Sequence, residues 1–253
     1  MKCLVFIPVR LESKRFPNKI LKNIHNIPMV EHVRRRALIA NVFKKVYLVT
    51  NSLIIKNKLN KYGANVLLTF KRHSNGTSRV SEISKKFKFN YAFILFGDEP
   101  FVNPDHLRLI IKKIKKNNKC SVFNVTTNLK KDDLNSREVV KTIINKKNDI
   151  IDYFRLSKIN LREETKIRKS SGIIILKRRL LNNYRNLKVN KKEKKNKIEQ
   201  FRFLENNIKI KSIFIKNIRP SVNTKKELYD LLSSIKNDKK EKKMINKIRN
   251  FEY

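Results

Sequence analysis

The chain has 253 residues, of which 40% are hydrophobic, enough to bury the core of one large domain. Lysine and arginine number 62 against 21 aspartates and glutamates, for a formal net charge of +41. Four glycines exclude collagen, glycine-rich linkers and a glycine-rich dinucleotide loop. The two distant cysteines, Cys3 and Cys120, exclude a disulfide framework and a zinc finger, and they fit a reducing compartment.

The positive charge has two interpretations. A net charge of this size is typical of proteins that bind nucleic acid. The basic residues are nevertheless spread along the whole chain among many isoleucines and asparagines, which fits a composition bias that places lysine on solvated faces. The sequence has no compact arginine stripe interleaved with aromatic residues, as single-strand binding needs. We therefore expect no specific nucleic-acid partner, and nonspecific RNA binding at low salt.

No segment predicts export or insertion into a membrane. The initial apolar run, MKCLVFIPVR, is too short for a signal peptide and lacks a small-residue cleavage site. No stretch approaches the ~20 apolar residues of a membrane-spanning helix. We expect a soluble, cytoplasmic protein.

Up to residue 127, apolar runs alternate with amphipathic segments. This alternation predicts an α/β fold with a mostly parallel, Rossmann-like sheet. Asn103 and Pro104 fit the N-cap and first position of a helix. The predicted strands are 3–9, 45–50, 65–70, 91–96 and 120–127, and the predicted helices are about 28–40, 53–61, 78–87 and 103–116.

The pattern changes after residue 127. The apolar runs 139–144, 150–154 and 172–177 are separated by polar breaks with no clear helix between them. This pattern predicts an antiparallel flap insertion, at about 135–190, that covers the open end of the parallel sheet.

The last part of the chain is strongly charged. Thr224 and Glu227 fit a capping box at the start of a helix. We expect a single domain over 1–235, followed by a basic helical tail over 236–253. The other expected segments are an exposed loop at the charge run 188–197, a helix at 198–205 and a strand at 208–215.

A basic loop follows the first strand. Arg10, Lys14, Arg15, Lys19 and the hydroxyl of Ser13 lie at the carboxyl end of a buried strand, where open α/β sheets bind ligands. The loop lacks the Walker A and G-x-G-x-x-G patterns, so side chains as well as backbone would hold a phosphate there. An ordinary solvated loop in a basic protein is the alternative.

Two adjacent acids, Asp98 and Glu99, follow the most apolar strand. Carboxylates in this position suit Mg²⁺, which takes one or two of them together with substrate phosphates. The alternative is a turn with a helix-capping acid. In a third polar segment, Gly76 permits a tight turn and Thr77 fits a helix cap, whereas the lone His73 indicates little by itself.

Six segments in order carry a resemblance to a known family. Over roughly residues 3–232 they resemble the signatures of the 3-deoxy-manno-octulosonate (Kdo) cytidylyltransferases, the CMP-Kdo synthetases. One such segment would be weak evidence, whereas six in register are specific for synthetases of CMP-sugar acids. The segments are IPVRLESKRFPNKILKNIHNIPMVEHV, HSNGTSRVSE, FGDEPFVNP, NSREVVKTIINKKNDIIDYF, IEQFRFLENNIKI and SVNTKKELYDL.

The resemblance implies an α/β nucleotidyltransferase fold with a dimerisation flap, and hence a homodimer. It also implies that CTP and a 3-deoxy-2-keto sugar acid react to give the CMP-sugar and pyrophosphate, for lipopolysaccharide or other surface glycan synthesis. Mg²⁺ is the implied cofactor. Matched position by position, the implied residues are Arg10, Ser13, Arg15 and Lys19 for the triphosphate; Arg10, Lys19 and Asp98 for catalysis; and Asp98 and Asn223 for the metal. Ser74, Gly76 and Thr77 are implied beside the cytosine and ribose, Glu199 and Gln200 toward the sugar acid, and His73 as a further substrate-binding residue.

Several positions depart from the family pattern. Phe96 stands where the family has glutamine, and Asn223 stands where it has a second magnesium carboxylate, which implies weaker metal binding. Two alternatives remain open: a cytidylyltransferase for another ulosonic acid or amino-Kdo, and a catalytically degenerate relative that binds nucleotide or nucleic acid. The other departures are Ser170 near a histidine, Arg155-Leu156 for Ser-Arg, and Asn18 and Asn26 for glycines.

Overall fold

The structure is a computed structural model that describes residues 1–13, 15–156 and 165–251. The strands in these ranges are β1 (Cys3–Pro8), β2 (Asn23–Ile24), β3 (Ile27–Pro28), β4 (Lys45–Thr50), β5 (Val66–Leu68), β6 (Tyr91–Leu95), β7 (Val122–Thr127), β8 (Lys141–Ile144), β9 (Asp149–Phe154), β10 (Lys166–Lys177) and β11 (Ile210–Phe214). The α-helices are α1 (Met29–Ile39), α2 (Leu53–Asn60), α3 (Gly76–Ser84), α4 (Pro104–Lys116), α5 (Lys131–Leu134), α6 (Arg178–Asn183), α7 (Lys191–Asn196), α8 (Phe201–Leu204), α9 (Lys225–Ile235) and α10 (Lys239–Arg249). Two short 3-10 turns lie at Lys19–Leu21 and Tyr184–Asn186.

One mixed sheet organises the described part of the chain. Its strand order is β5-β4-β1-β6-β10-β7-β11-β9-β8, and β2 and β3 form a separate hairpin. The neighbours β5-β4, β4-β1 and β1-β6 are parallel, as is β7-β11. The predicted α/β architecture, with alternating strands and helices up to residue 127, is therefore confirmed.

Helices cover both faces of this sheet, which explains why its inner strands are apolar throughout. Side chains alternate between the two faces of a strand. In β1, Val5 and Ile7 pack in a layer with residues of α1, α2 and α4. Leu4 and Phe6 point the other way and pack in a layer with α3, α6 and α8.

A third apolar cluster holds the last two helices against the loops that follow β1 and β6. Val222 lies in this cluster with Leu228 and Leu231 of α9 and Ile245 of α10. Phe101, which follows the Gly97–Pro100 turn, belongs to the same cluster. The helix seen after Lys236 therefore packs on the rest of the domain through an apolar stripe.

Residues 172–177 correct the predicted flap. They are the second half of β10, which lies antiparallel between β6 and β7 in the middle of the sheet. The first half of β10 pairs with β8, which pairs in turn with β9. A run of apolar residues shows that a strand is buried on both faces, but it does not show which strands are its neighbours.

The structure also contradicts the exposed loop predicted for the charge run 188–197. Its second part forms α7, capped by Asn190, and Glu193 of this helix is buried. The helix predicted over 198–205 is shorter than expected and spans Phe201–Leu204.

Two predicted helix starts are confirmed. The Asn103 side chain accepts a hydrogen bond from the Asp105 N–H, with Pro104 at the first helical position. Thr224 and Glu227 form the reciprocal bonds of a capping box at α9. Within the ranges that the structure describes, no helix combines the length and apolar character needed to span a bilayer.

Candidate active site

Two loops meet at the carboxyl edge of the parallel strands. β1, β4, β5 and β6 run in the same direction, so their carboxyl ends face the same side of the molecule. The basic loop leaves β1 at this edge, and the Gly97–Pro100 turn leaves β6 beside it. This is the edge where open α/β sheets bind ligands.

Lys19 joins these loops to a third one. Its Nζ donates to Asp98 Oδ2 at 2.6 Å, to the Val222 carbonyl at 3.0 Å and to Asn223 Oδ1 at 3.2 Å. The Val222 N–H donates to the Asp98 carbonyl at 2.8 Å, which fixes the third loop against the turn. We call Lys19, Asp98, Val222 and Asn223 the Asp98 centre. The structure thus brings together three predicted site residues that are far apart in sequence.

The Asp98 centre has the donor set that a hard cation prefers. One carboxylate, one amide oxygen and one backbone carbonyl converge on the same ammonium group, so their oxygens already point toward one cationic position. Oxygen donors of this type suit Mg²⁺, which completes its shell with water and substrate phosphates. In the described part of the chain, no cluster of three or more histidine, cysteine or acidic side chains suits a metal. At the Asp98 centre, the side chains whose oxygens could bind Mg²⁺ are Asp98 and Asn223.

Glu99 has a different role from its neighbour Asp98. It is buried, and its Oε1 accepts the Gly172 N–H at 3.0 Å. Burial, together with the adjacent Asp98 charge, raises the pKa of Glu99 to about 8. An added Cβ at Gly172 would lie 2.4 Å from Glu99 Oε1, so the glycine makes room for this contact. Glu99 thus ties the turn after β6 to the middle of β10.

Arg10 and Arg15 of the basic loop interact with residues outside the Asp98 centre. Arg10 is exposed, and its charge is close enough to Arg79 to lower that residue's pKa, after the larger effect of burial. Arg15 is exposed and forms an ion pair with Glu138. Ser13 is half-buried, and Lys14 lies outside the described residues. Triphosphate binding by Arg10, Ser13 and Arg15 therefore stays a prediction.

The start of α3 corrects two predictions. The N-cap is Asn75, whose side chain accepts the Ser78 N–H at 2.8 Å, and Thr77 lies inside the helix. Gly76 is needed for close packing rather than for a turn. An added Cβ there would lie 2.7 Å from the Phe96 ring and 2.9 Å from Pro8. The aromatic side chain at position 96 thus packs on the first residue of α3.

A mostly buried polar network lies behind α3. Thr77 donates its N–H and its hydroxyl to the two carboxylate oxygens of Glu199, at 3.2 and 2.8 Å. The Asn75 amide donates to Glu193 at 3.0 Å, and Arg202 forms a two-pronged ion pair with the same glutamate. We call these five residues the Glu199 centre. Burial raises the pKa of Glu199, against the hydrogen bonds from Thr77.

The Glu199 centre includes Thr77 and Glu199, which the resemblance assigns to substrate binding. The structure shows both carboxylate oxygens of Glu199 engaged with Thr77. Gln200 is buried at the start of α8. Substrate binding by Thr77, Glu199 and Gln200 remains a prediction, since their observed contacts are within the protein.

His73 and Ser74 precede the cap of α3. His73 Nε2 lies 2.7 Å from Glu82 Oε2, and burial lowers the histidine pKa despite this partner. Ser74 is exposed. Arg79, which was not among the predicted site residues, is buried and donates to Asn51 Oδ1 at 2.7 Å. Arg79 lies in the HSNGTSR segment beside the predicted site residues, and this position is the sequence feature that could have identified it.

Several departures from the family pattern have a structural explanation. Asn18 and Asn26 have φ of 55° and 67°, in the left-handed region that asparagine tolerates best after glycine. Ser170 donates to Asn124 Oδ1 at 2.8 Å. Arg155 donates to the Asn196 carbonyl at 3.1 Å. Ser170 and Arg155 therefore have partners within the protein.

Comparisons with known proteins match the part of the chain that contains Lys19, Asp98 and Glu199. Residues 4–211 match the family model described as cytidylyltransferase. The chain is 33% identical over 243 residues to the 3-deoxy-manno-octulosonate cytidylyltransferase of Elusimicrobium minutum, covering 93% of this chain and 98% of that protein. It is 30% identical over 241 residues to the enzyme of the same name from Fusobacterium nucleatum, covering 93% and 98%.

A solved structure has the same fold. A CMP:2-keto-3-deoxy-manno-octonic acid synthetase complexed with CTP matches with a TM-score of 0.85 at 24% identity, covering 94% of this chain and 100% of that one. The family match extends from β1 into β11 and so includes the basic loop, Asp98 and Glu199. The chain therefore belongs to the cytidylyltransferase family, with 3-deoxy-manno-octulosonate cytidylyltransferases among its relatives.

Proposed function

We propose that this cytidylyltransferase transfers CMP from CTP to 3-deoxy-manno-octulosonate and releases pyrophosphate. The anomeric hydroxyl oxygen of the sugar acid attacks the α-phosphorus and loses its proton, and the bond from that phosphorus to pyrophosphate breaks. The observation that carries the proposal is the convergence of Lys19, Asp98 and Asn223 at the carboxyl edge of the sheet. The printed names of the relatives supply the substrates.

Phosphoryl transfer depends mainly on positioning and on neutralising charge. Lys19 contributes an ammonium group whose three N–H donors are held by three oxygens, and phosphate oxygens would bind it by replacing one or more of these acceptors. Arg10 and Arg15, on the exposed part of the same loop, add guanidinium groups that bind phosphate in a forked geometry. Together they favour departure of the pyrophosphate anion.

Mg²⁺ is part of the proposal. Bound at the Asp98 centre, it would be held by Asp98 and Asn223 and would neutralise charge on the triphosphate. Asp98 contributes the charge at this position and Asn223 contributes an uncharged oxygen. In the structure Asp98 and Asn223 hold the Lys19 ammonium, so metal binding there would free Lys19 to bind oxygens of the triphosphate.

The test is pyrophosphate release by the purified protein with CTP, Kdo and Mg²⁺, with each component omitted in turn. Release that needs all three supports the proposal. CTP binding without release with Kdo contradicts it. Release with 8-amino-3,8-dideoxy-manno-octulosonate in place of Kdo would instead assign the amino sugar, the substrate in the name of a relative from Shewanella pealeana that is 27% identical.

We also propose that the enzyme is a cytoplasmic homodimer that associates near the predicted flap. Three of the exposed apolar side chains in or beside that segment, Leu134, Ile151 and Leu156, are 44%, 49% and 44% exposed. A contiguous exposed apolar patch is typical of protein–protein contacts, and we propose that these side chains belong to one. Light scattering during gel filtration should give twice the chain mass of 30.1 kDa. A mass of one chain at micromolar concentration would contradict the dimer.

The basic surface is proposed to bind nucleic acid without specificity. The charge of +41 attracts phosphates, and such binding weakens steeply as the salt concentration rises, because the release of counterions from the nucleic acid becomes less favourable. RNA binding measured by filter retention should collapse by about 0.2 M salt. Tight binding that persists at higher salt, without nucleotidyl transfer, would favour a nucleic-acid-binding role instead.

A further inference from the structure

The loop that carries Asn223 is held by the C-terminal helix. This Asn223 loop comprises residues 215–224, between β11 and α9. Arg219 lies in the loop, and its Nη2 donates to Asp238 Oδ2 at 2.5 Å. Asp238 is also the N-cap of α10, where it accepts the N–H groups of Lys240 and Glu241. One carboxylate thus connects the loop to the first turn of α10.

A second acid extends the connection into the core. Glu241 Oε1 lies 3.7 Å from Arg219 Nε, and Glu241 Oε2 accepts Arg36 Nη2 at 2.5 Å. Arg36, in α1, is fully buried, and its guanidinium lies 5.2 Å from the centre of the Phe101 ring. Helix α10 is therefore anchored to a buried part of the domain at the same place where it holds Arg219.

The far end of the loop reaches the Asp98 centre three residues later. Val222 donates its N–H to the Asp98 carbonyl and accepts Lys19 Nζ at 3.0 Å. Asn223 Oδ1 accepts the same ammonium at 3.2 Å. The loop is thus fixed at Arg219 by α10 and at Val222 by the turn after β6.

The chemistry of Asn223 makes this placement matter. A carboxylate attracts a cation through its full charge over several ångströms, whereas an amide oxygen acts through a dipole and contributes mainly at contact distance. A small displacement of the loop therefore costs an amide ligand more of its interaction than it would cost a carboxylate. Residues that orient a ligand commonly change metal affinity by tenfold or more when they are replaced.

We propose that Arg219, held by Asp238 and Glu241 of α10, is a positioning residue that places the Asn223 oxygen for cation binding at the Asp98 centre. The inference rests on the proposed function where it is tested by turnover. The Mn²⁺-binding measurement tests it independently, because it does not require the enzyme to transfer CMP.

The first test compares Arg219→Gln with Lys216→Gln. Both changes remove one positive charge from the same loop, and Lys216 is exposed. We expect Arg219→Gln to weaken Mn²⁺ binding in the presence of CTP by about tenfold, measured by water proton relaxation. The Mg²⁺ concentration for half-maximal turnover should rise by a similar factor, with kcat at saturating Mg²⁺ little changed. Lys216→Gln should match the wild type.

Two further variants separate positioning from stability. Asp238→Asn keeps a good N-cap residue at α10 but removes the charge that holds Arg219, so it should reproduce the weaker Mn²⁺ binding without loss of the helix. Arg219→Lys retains a cation toward Asp238 and should restore most of the affinity.

Two results would overturn the inference. One is a lowered melting temperature for Arg219→Gln with unchanged Mn²⁺ binding. The other, which also covers an Arg219→Gln protein that fails to fold, is wild-type Mn²⁺ binding by Asp238→Asn. If the wild type binds Mn²⁺ and CTP but does not transfer CMP, the proposed function fails, and the Mn²⁺ comparison still decides the role of Arg219.

Discussion

The Asp98 centre and the Glu199 centre are both polar, but they are built differently. At the Asp98 centre, a single ammonium is shared among three oxygens, and the Lys19 and Asp98 side chains are 13% and 24% exposed. At the Glu199 centre, most groups are buried, and each carboxylate oxygen of Glu199 has its own donor from Thr77. Hydrogen-bond partners that share one donor group and are partly exposed to solvent exchange easily with a ligand. Buried pairs in which every oxygen has its own donor mainly stabilise the fold.

The largest expected effect comes from removing the charge of the Asp98 centre. Asp98→Asn should lower kcat by at least about a hundredfold, because it removes the charged ligand proposed for Mg²⁺ and the main partner of Lys19. The melting temperature should change little. Steady-state pyrophosphate release checks the rate, with Asp105→Asn, at an exposed position of α4, as the matched control. Wild-type turnover by Asp98→Asn would contradict the metal assignment.

The Glu199 centre should respond in stability. Thr77→Val removes the hydroxyl that donates to Glu199 at 2.8 Å and leaves a shielded carboxyl group short of a partner. We expect a loss of about 1–3 kcal/mol in the free energy of unfolding, measured by urea denaturation. Thr77→Ser keeps the hydroxyl and should lose much less. Equal losses in the two variants would show that the Thr77 methyl group, rather than its hydroxyl, stabilises this region.

Asn223→Asp should sharpen the contrast by adding charge where the Asp98 centre has a neutral oxygen. The variant should bind Mn²⁺ about tenfold more tightly, since a second carboxylate joins Asp98 around the same cationic position. Proton relaxation titrations measure the change. Asn217→Asp adds the same charge to the exposed part of the loop and should leave the affinity unchanged. Equal tightening by both variants would indicate a general charge effect.

The smallest expected effect is a pH dependence from Glu199. Because burial raises its pKa above the ordinary 4.5, the folded protein holds this proton more tightly than the unfolded chain. The resulting stabilisation is fully present below about pH 4.5 and is lost as the pH rises through the raised pKa. Urea denaturation between pH 4.5 and 8 should therefore show a steeper decline for the wild type than for Glu199→Gln.

The control for this prediction is Glu205→Gln, at an exposed acid in the same segment. It should retain the slope of the wild type with pH. A wild-type slope in Glu199→Gln would place the pH dependence elsewhere in the protein.

The sequence could predict most of the Asp98 centre. Lys19 and Asp98 were predictable together, because each follows a buried parallel strand and such strand ends share one edge. Asn223 was found through the resemblance, since it lies in a loop that no strand pattern distinguishes. The α/β architecture could be predicted because apolar runs alternate with amphipathic helical segments up to residue 127.

Other features depend on contacts that local patterns do not contain. The cap of α3 is Asn75, whereas the hydroxyl of Thr77 donates to Glu199, which is 122 residues away in sequence. The closeness of Gly172 to Glu99 depends on β10 being next to β6. Arg36 and Glu241 form their pair across more than 200 residues of sequence. Hydrophobic periodicity gives the type of each element, but it does not give long-range pairing.

The position of β10 has a consequence for how the chain folds. In the described sheet, β10 separates β5-β4-β1-β6 from β7-β11-β9-β8 and is the strand that pairs with both groups. During synthesis, β6 and β7 emerge well before β10, so their inner edges stay without partners until residues 166–177 are made. Unpaired strand edges and late long-range pairing slow folding and favour aggregation. A chain stalled before residue 166 should therefore need a chaperone, although it already contains Lys19 and Asp98.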